Sequence, residues 1–163
     1  MSCRMKARRL ASGFSLVELL ITLAVLGIIS AIVAPRYASS MERYRAGAAV
    51  RRVMADLVLA QSAARAASAT RRVVFDVNNA EYVIEGVAAA DALPGQPRGT
   101  STRVHLGGEP YRAAIKTADF GGDDFVAFDG FGRPLQGGTV VVKAGGRHVT
   151  ISVAAETGAV TSD

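Results

Sequence analysis

Residues 14 to 34 read Phe14-Ser-Leu-Val-Glu-Leu-Leu-Ile-Thr-Leu-Ala-Val-Leu-Gly-Ile-Ile-Ser-Ala-Ile-Val-Ala34, 21 residues with one charge, Glu18. No water-facing surface is built this way. As a helix the run would be about 31 Å long, close to the roughly 30 Å hydrocarbon core of a bilayer. Ahead of it, residues 1–13 hold Arg4, Lys6, Arg8 and Arg9 and no acid. By the positive-inside rule this predicts a cytoplasmic N-terminus, with everything after Pro35 across the membrane. The single cysteine, Cys3, then lies on the reducing side. One cysteine also excludes a disulfide framework or a zinc knuckle.

Two simpler readings of the run are a cleaved secretory signal and a plain signal anchor. The run is longer than the 7–15 residues of a signal h-region and carries a carboxylate within it. Ala38-Ser39-Ser40 would serve as a small-residue cleavage site, so the first reading stays open. Glu18 also has two readings. Ser15-Leu-Val-Glu18 fits the S-x-x-E capping box, in which Glu18 folds back on the Ser15 amide at a helix start. Alternatively Glu18 faces a cation inside an assembly, such as the free α-amine of a neighbouring copy. A carboxylate in lipid is costly enough to require one such explanation.

The isoelectric point of about 9.9 invites a polyanion-binding reading. The charge is concentrated, however: +4 in residues 1–13, +3 in 14–70 and −2 in 71–163. The basic balance belongs largely to the leader, which weakens the case for a nucleic-acid partner. Half of the residues are apolar and 20% are charged, a composition that argues for a folded chain.

Gly13-Phe14-Ser15-Leu16-Val17-Glu18 behind a short basic leader resembles the class III signal of type IV prepilins, shared by pilins and pseudopilins. The resemblance covers residues 4 to about 45. It implies that a membrane-embedded prepilin peptidase cuts after Gly13 and N-methylates Phe14. Glu18 becomes the fifth residue of the mature chain and contributes to assembly. It further implies partnership with other pilins or pseudopilins through the N-terminal helix, and residence in the inner-membrane bilayer before assembly. Gly27 and Pro35 are the points where that helix kinks most cheaply. Burial in a filament core would replace lipid around the apolar run, and Glu18 against an adjacent α-amine would set register as well as affinity.

Beyond Pro35 the helix is expected to continue to about Ser68. Val50, Val53, Met54, Leu57, Val58, Gln61 and Ala64 follow helical spacing and would pack on the chain's own sheet. Arg51, Arg52, Asp56 and Arg65 would lie mainly off that stripe. The five bases Arg36 to Arg52 would meet solvent, headgroups or acids of a neighbouring subunit. From Arg71 the period becomes two. Residues 72–77 and 80–85 form a hairpin, with Asn78-Asn79 supplying left-handed turn residues. Residues 86–101 read as loop, 102–106 as a short strand, and 107–122 carries no assignment. Strands follow at 125–129, 139–143 and 147–153, then a turn at Glu156-Thr-Gly158 into a short terminal strand.

The expected fold is α+β and pilin-like: a long N-terminal hydrophobic helix packed on a C-terminal, mainly antiparallel sheet domain. Its divisions are a leader (1–13), a transmembrane or filament-core helix (14–35), an amphipathic continuation (36–70) and an extracytoplasmic β-rich domain (71–163). Phe125-Val-Ala-Phe-Asp-Gly-Phe-Gly-Arg-Pro134, the strand near Val140, the strand 147–153 and Thr157-Gly158 resemble the GspH/FimT-like branch of minor pseudopilins. That branch includes a tip component of the type II secretion pseudopilus and minor type IV pilins, some binding DNA through a basic C-terminal motif. Here Thr157-Gly158 is followed by Ala-Val-Thr-Ser-Asp163 without arginine, a departure that argues against DNA. The resemblance implies a minor pseudopilin of a type II secretion pseudopilus. The alternatives are a minor type IV pilin at a filament tip, engaged in adhesion or DNA uptake, and a simple membrane-anchored extracytoplasmic domain.

Other candidate sites are weak. Asp119, Asp123, Asp124 and Asp129 lack D-x-D-x-D-G spacing, which favours solvated turns over a calcium site. His105 and His148 stand apart, without zinc-ligand spacing. Gly130-x-Gly132 precedes Arg133-Pro134 rather than a helix, and no nucleophile elbow or phosphate loop occurs. Arg133 and Arg147 beside glycines are loop arginines. The expectation is no enzyme, no metal and no cofactor.

Overall fold

In the computed structural model, residues 15–87 and 101–163 are described. The chain divides into two compact units, Met1–Ser39 and Ser40–Asp163. One helix, α1 (Leu16–Ala67), contributes to both. The leader and most of the loop expected at 86–101 lie outside the described residues.

The described part of the N-terminal unit is a helical rod. Leu16–Val33 has a mean hydropathy of 2.7, and none of it is buried. Leu16 is 75% exposed, and the leucines, isoleucines and valines through Val33 are all exposed. The helix runs unbroken past Gly27 and Pro35, although the Pro35 side chain lies outside the described part.

In the second unit the rest of α1 packs on strands. Among the described residues eight strands follow: β1 (Arg71–Asp76), β2 (Glu81–Glu85), β3 (Ser101–His105), β4 (Ala113–Asp119), β5 (Phe125–Phe128), β6 (Gly138–Ala144), β7 (Arg147–Val153) and β8 (Val160–Ser162). They form two four-stranded sheets, ordered β3-β2-β1-β5 and β4-β6-β7-β8. Every pairing is antiparallel. The fold is thus α+β as expected, with two sheets where one was anticipated.

The hairpin forms with Asp76 opposite Glu81, but its left-handed residue is Ala80 (φ 51°), not an asparagine. Asp76 closes the turn instead. Its Oδ1 accepts from the amides of Asn78 and Asn79, and its Oδ2 accepts from Asn79 Nδ2. These bonds, that from the Asn79 side chain foremost, hold the Asp76 carboxyl below its ordinary range.

β4 fills the stretch left unassigned. A register shift between Ile115 and Thr117 breaks its alternation, so the buried Ala113 and Ile115 are not followed by a third inward residue in step. The core joins both sheets to α1. Phe75 packs on Tyr82 and Phe120, with ring centroids 5.6 and 5.8 Å away. The helix contributes Ala46, Ala49, Val50, Val53, Leu57, Ala60 and Ala64, all buried.

That face is rotated from the expected stripe. Val58 is exposed, and Asp56 is 5% exposed. Four of the seven apolar helix residues in the core are alanine, a side chain small enough to let a helix approach a sheet closely.

Helix α1 ends in a Schellman motif. The Ser68 amide donates to Arg65 O and the Ala69 amide to Ala64 O, with Ser68 left-handed at φ 48°. Gly130 sits against this end, where an added Cβ would lie 2.8 Å from the Ser68 carbonyl carbon.

Candidate functional site

The feature that demands a function is the rod. Twelve large apolar side chains between Leu16 and Val33 are exposed. Covering them would release free energy on the order of 10–20 kcal/mol. By length and composition the rod can cross a membrane.

Glu18 lies in the first turn of α1 and is exposed on the rod. Ser15 is the helix cap, and its carbonyl accepts the Leu19 amide at 3.1 Å. Among the described residues, neither reciprocal side-chain bond of a capping box links Ser15 and Glu18. Gly27 has open space around it, with nothing within 4 Å of an added Cβ. Gly13 and Phe14 lie outside the described residues.

In the second unit the buried polar centre is Asp56, which the sequence reading set off the packed face. Tyr82 Oη donates to Asp56 Oδ2 at 2.6 Å, and Arg52 Nε donates to the same oxygen at 2.9 Å. Burial and the Asp56 carboxylate together push the Tyr82 phenol well above its ordinary range. The three groups tie α1 to β2 and hold a carboxylate that would otherwise be buried alone. The sequence held the signal: Asp56 lies three residues from Val53 and four from Ala60, within the small-residue face.

A second tie involves Gln61, which was expected only as part of the packing stripe. Its Nε2 donates to Gly132 O at 2.8 Å and to Thr157 O at 3.4 Å. Arg65 Nε donates to Phe131 O at 3.2 Å. Asp129 Oδ1 accepts from the amides of Phe131 and Arg133, so Gly130–Pro134 is a pinned turn. It presents Phe131, 82% exposed.

The remaining candidates are dispersed. Asp119 Oδ1 accepts from the Gly122 amide within its own turn. Among the described residues no three metal-ligating side chains gather. His105 and Arg103 both approach Glu81 from β3. His148 pairs across β6–β7 with Lys143. Arg147 opens β7 rather than occupying a loop.

Against this geometry, the sequence profile of the prokaryotic N-terminal methylation motif matches residues 8–34. The profile of the type II transport protein GspH matches residues 49–157. The chain belongs to the GspH family. Its members are type IV pilin-like, and the match runs from residue 49 of the helix through nearly the whole β-rich region. Among solved structures, the type IV minor pilin FimU of Pseudomonas aeruginosa is similar at 15% identity. That similarity covers 75% of this chain and 90% of FimU, with a TM-score of 0.49. No curated protein matches significantly.

Proposed function

We propose that this GspH-family chain is a minor pseudopilin of a type II secretion pseudopilus. Prepilin peptidase cleaves it after Gly13 and methylates Phe14. It waits in the inner membrane with residues after Pro35 on the extracytoplasmic side, then assembles through the rod. The observation that carries this reading is the rod itself: fully uncovered, apolar, and placed within a methylation-motif match. A cleaved secretory signal would be discarded. A prepilin segment is kept, first lipid-covered and later covered by neighbouring rods.

In this reading Glu18 neutralises the α-amine of an adjacent Phe14. Breaking a buried pair costs about 3–5 kcal/mol, so Glu18→Ala should lower incorporation into filaments by roughly a hundredfold or more. Membrane insertion should be unchanged. Unchanged incorporation would leave Glu18 a helix-start residue only. Mass spectrometry of the mature chain from its host decides processing: methylated Phe14 at the N-terminus supports it, whereas a chain beginning downstream of Ala38 refutes it. Catalysis has no part in this role.

A further inference from the structure

Four of the eleven described arginines of the second unit meet carboxylates. Arg45 and Arg112 bracket Glu109, Arg52 meets Asp56, and Arg103 meets Glu81. Three others, Arg43, Arg51 and Arg147, line one groove of about 270 Å³ between α1 and the β7–β8 edge. Among the described residues none of the three has a carboxylate partner, and no acid lines the groove. Glu42 and Asp163 stand only next to lining residues in the chain. Ala46, Val50, Met54 and Val149 supply its apolar lining. Gly47 leaves room there for Arg51, whose guanidinium lies 3.2 Å from where a Cβ would be.

One wall ends at Ser162 of β8, the edge strand of its sheet. The Asp163 amide donates to Thr150 O and the Ala154 amide to Ala159 O. Hydrogen-bonded pairs alternate in antiparallel ladders, so Thr161 opposite Ser152 bonds inward. The backbone groups of Val160 and Ser162 therefore point outward from the sheet. An open edge is a template for an added strand. Three residues are too few to hold one by backbone bonds alone, and the arginines supply the remainder.

We infer that this groove receives an extended acidic segment of a neighbouring subunit, its carboxylates on Arg43, Arg51 and Arg147 and its backbone on Val160 and Ser162. That the partner is a neighbouring subunit rests on the pseudopilin reading. An anionic headgroup would use the guanidiniums but leave the strand edge open, so the edge favours a peptide. Guanidinium forks suit carboxylates in two-point contact.

The test is a titration of the full chain in neutral detergent micelles with a short labelled peptide of alternating Glu and Val. Saturable, salt-sensitive binding is expected, and none with a Lys-for-Glu peptide. R51A/R147A should weaken it about tenfold or more. S162P, which removes an outward amide and spares the inward bonds at Thr161, should weaken it about threefold or more. R133A should leave it unchanged. R51K/R147K, which keeps both charges but loses both forks, should bind between the unaltered chain and the alanine pair; binding as tight as the unaltered chain overturns the two-point contact, and a loss equal to that of the alanine pair overturns the charge assignment. Binding indifferent to all the groove substitutions overturns the site. Phosphatidylglycerol or a single-stranded oligonucleotide binding with the same arginine dependence, in place of the peptide, overturns the choice of partner. Failure here with normal filament incorporation removes the groove alone, whereas absent processing and incorporation removes the pseudopilin reading and leaves the titration standing.

Discussion

Ser68 occupies a backbone conformation that glycine adopts without penalty. A left-handed residue with a side chain costs about 1–2 kcal/mol, and the Schellman bonds at Arg65 and Ala64 hold Ser68 there. Ser68→Gly should therefore stabilise the second unit by about 1 kcal/mol, read as a higher melting temperature. No change would mean that the Ser68 side chain offsets the strain. Tyr82 supplies a second test. Its phenol is raised in the folded chain, so its contribution is complete below the ordinary phenol range. It is lost as pH rises beyond about 10, where the unfolded phenol ionises. Tyr82→Phe should cost about 1–2 kcal/mol near neutrality by removing one of the two partners of Asp56. It should also flatten the alkaline fall in stability, and an equally steep fall in the variant would assign that fall elsewhere.

At the scale of elements, legibility followed periodicity. Strand β7 was plain because Ile151 and Val153 are buried in alternation with less buried neighbours. Strand β4 was hidden because its bulge at Lys116 puts the alternation out of step, and because Ala113, Ala114 and Ala118 carry little apolar signal. The helix was found within one residue of its end, but its inner face was misplaced. Hydrophobicity ranks Val58 above Ala60, but Ala60 shares the helical face of Val53, Leu57 and Ala64 and is buried with them. Asp56 was set outside because an isolated carboxylate does not belong in a core. Its justification, Tyr82, is 26 residues away and becomes a partner only once β2 folds. The turn of the first hairpin was located correctly. Its left-handed residue was not, because Asp76 fixes the turn from outside the asparagine pair.

For the whole molecule, the division at Ser39/Ser40 also separates uncovered apolar side chains from a packed core. Among the described residues, every buried apolar side chain of the core lies between Ala46 and Val153. A fragment of residues 40–163 should thus keep a cooperative thermal transition in water within a few degrees of the full chain in detergent, as followed by circular dichroism. A broad, non-cooperative transition would show that the rod helps to stabilise the sheets. The apolar N-terminal segment was the more legible in sequence, because length, hydropathy and flanking charge suffice to recognise it. The role of Glu18 was not legible, since its expected partner belongs to another molecule.

An uncovered rod also limits how the cell can stockpile this chain. On the proposed pseudopilin reading, copies awaiting use cannot be held in an aqueous reserve, so the supply is set by bilayer area and by the rate at which the assembly machinery withdraws molecules from it. Overproduction without matching withdrawal would crowd the membrane first, well before any aqueous compartment registered the excess.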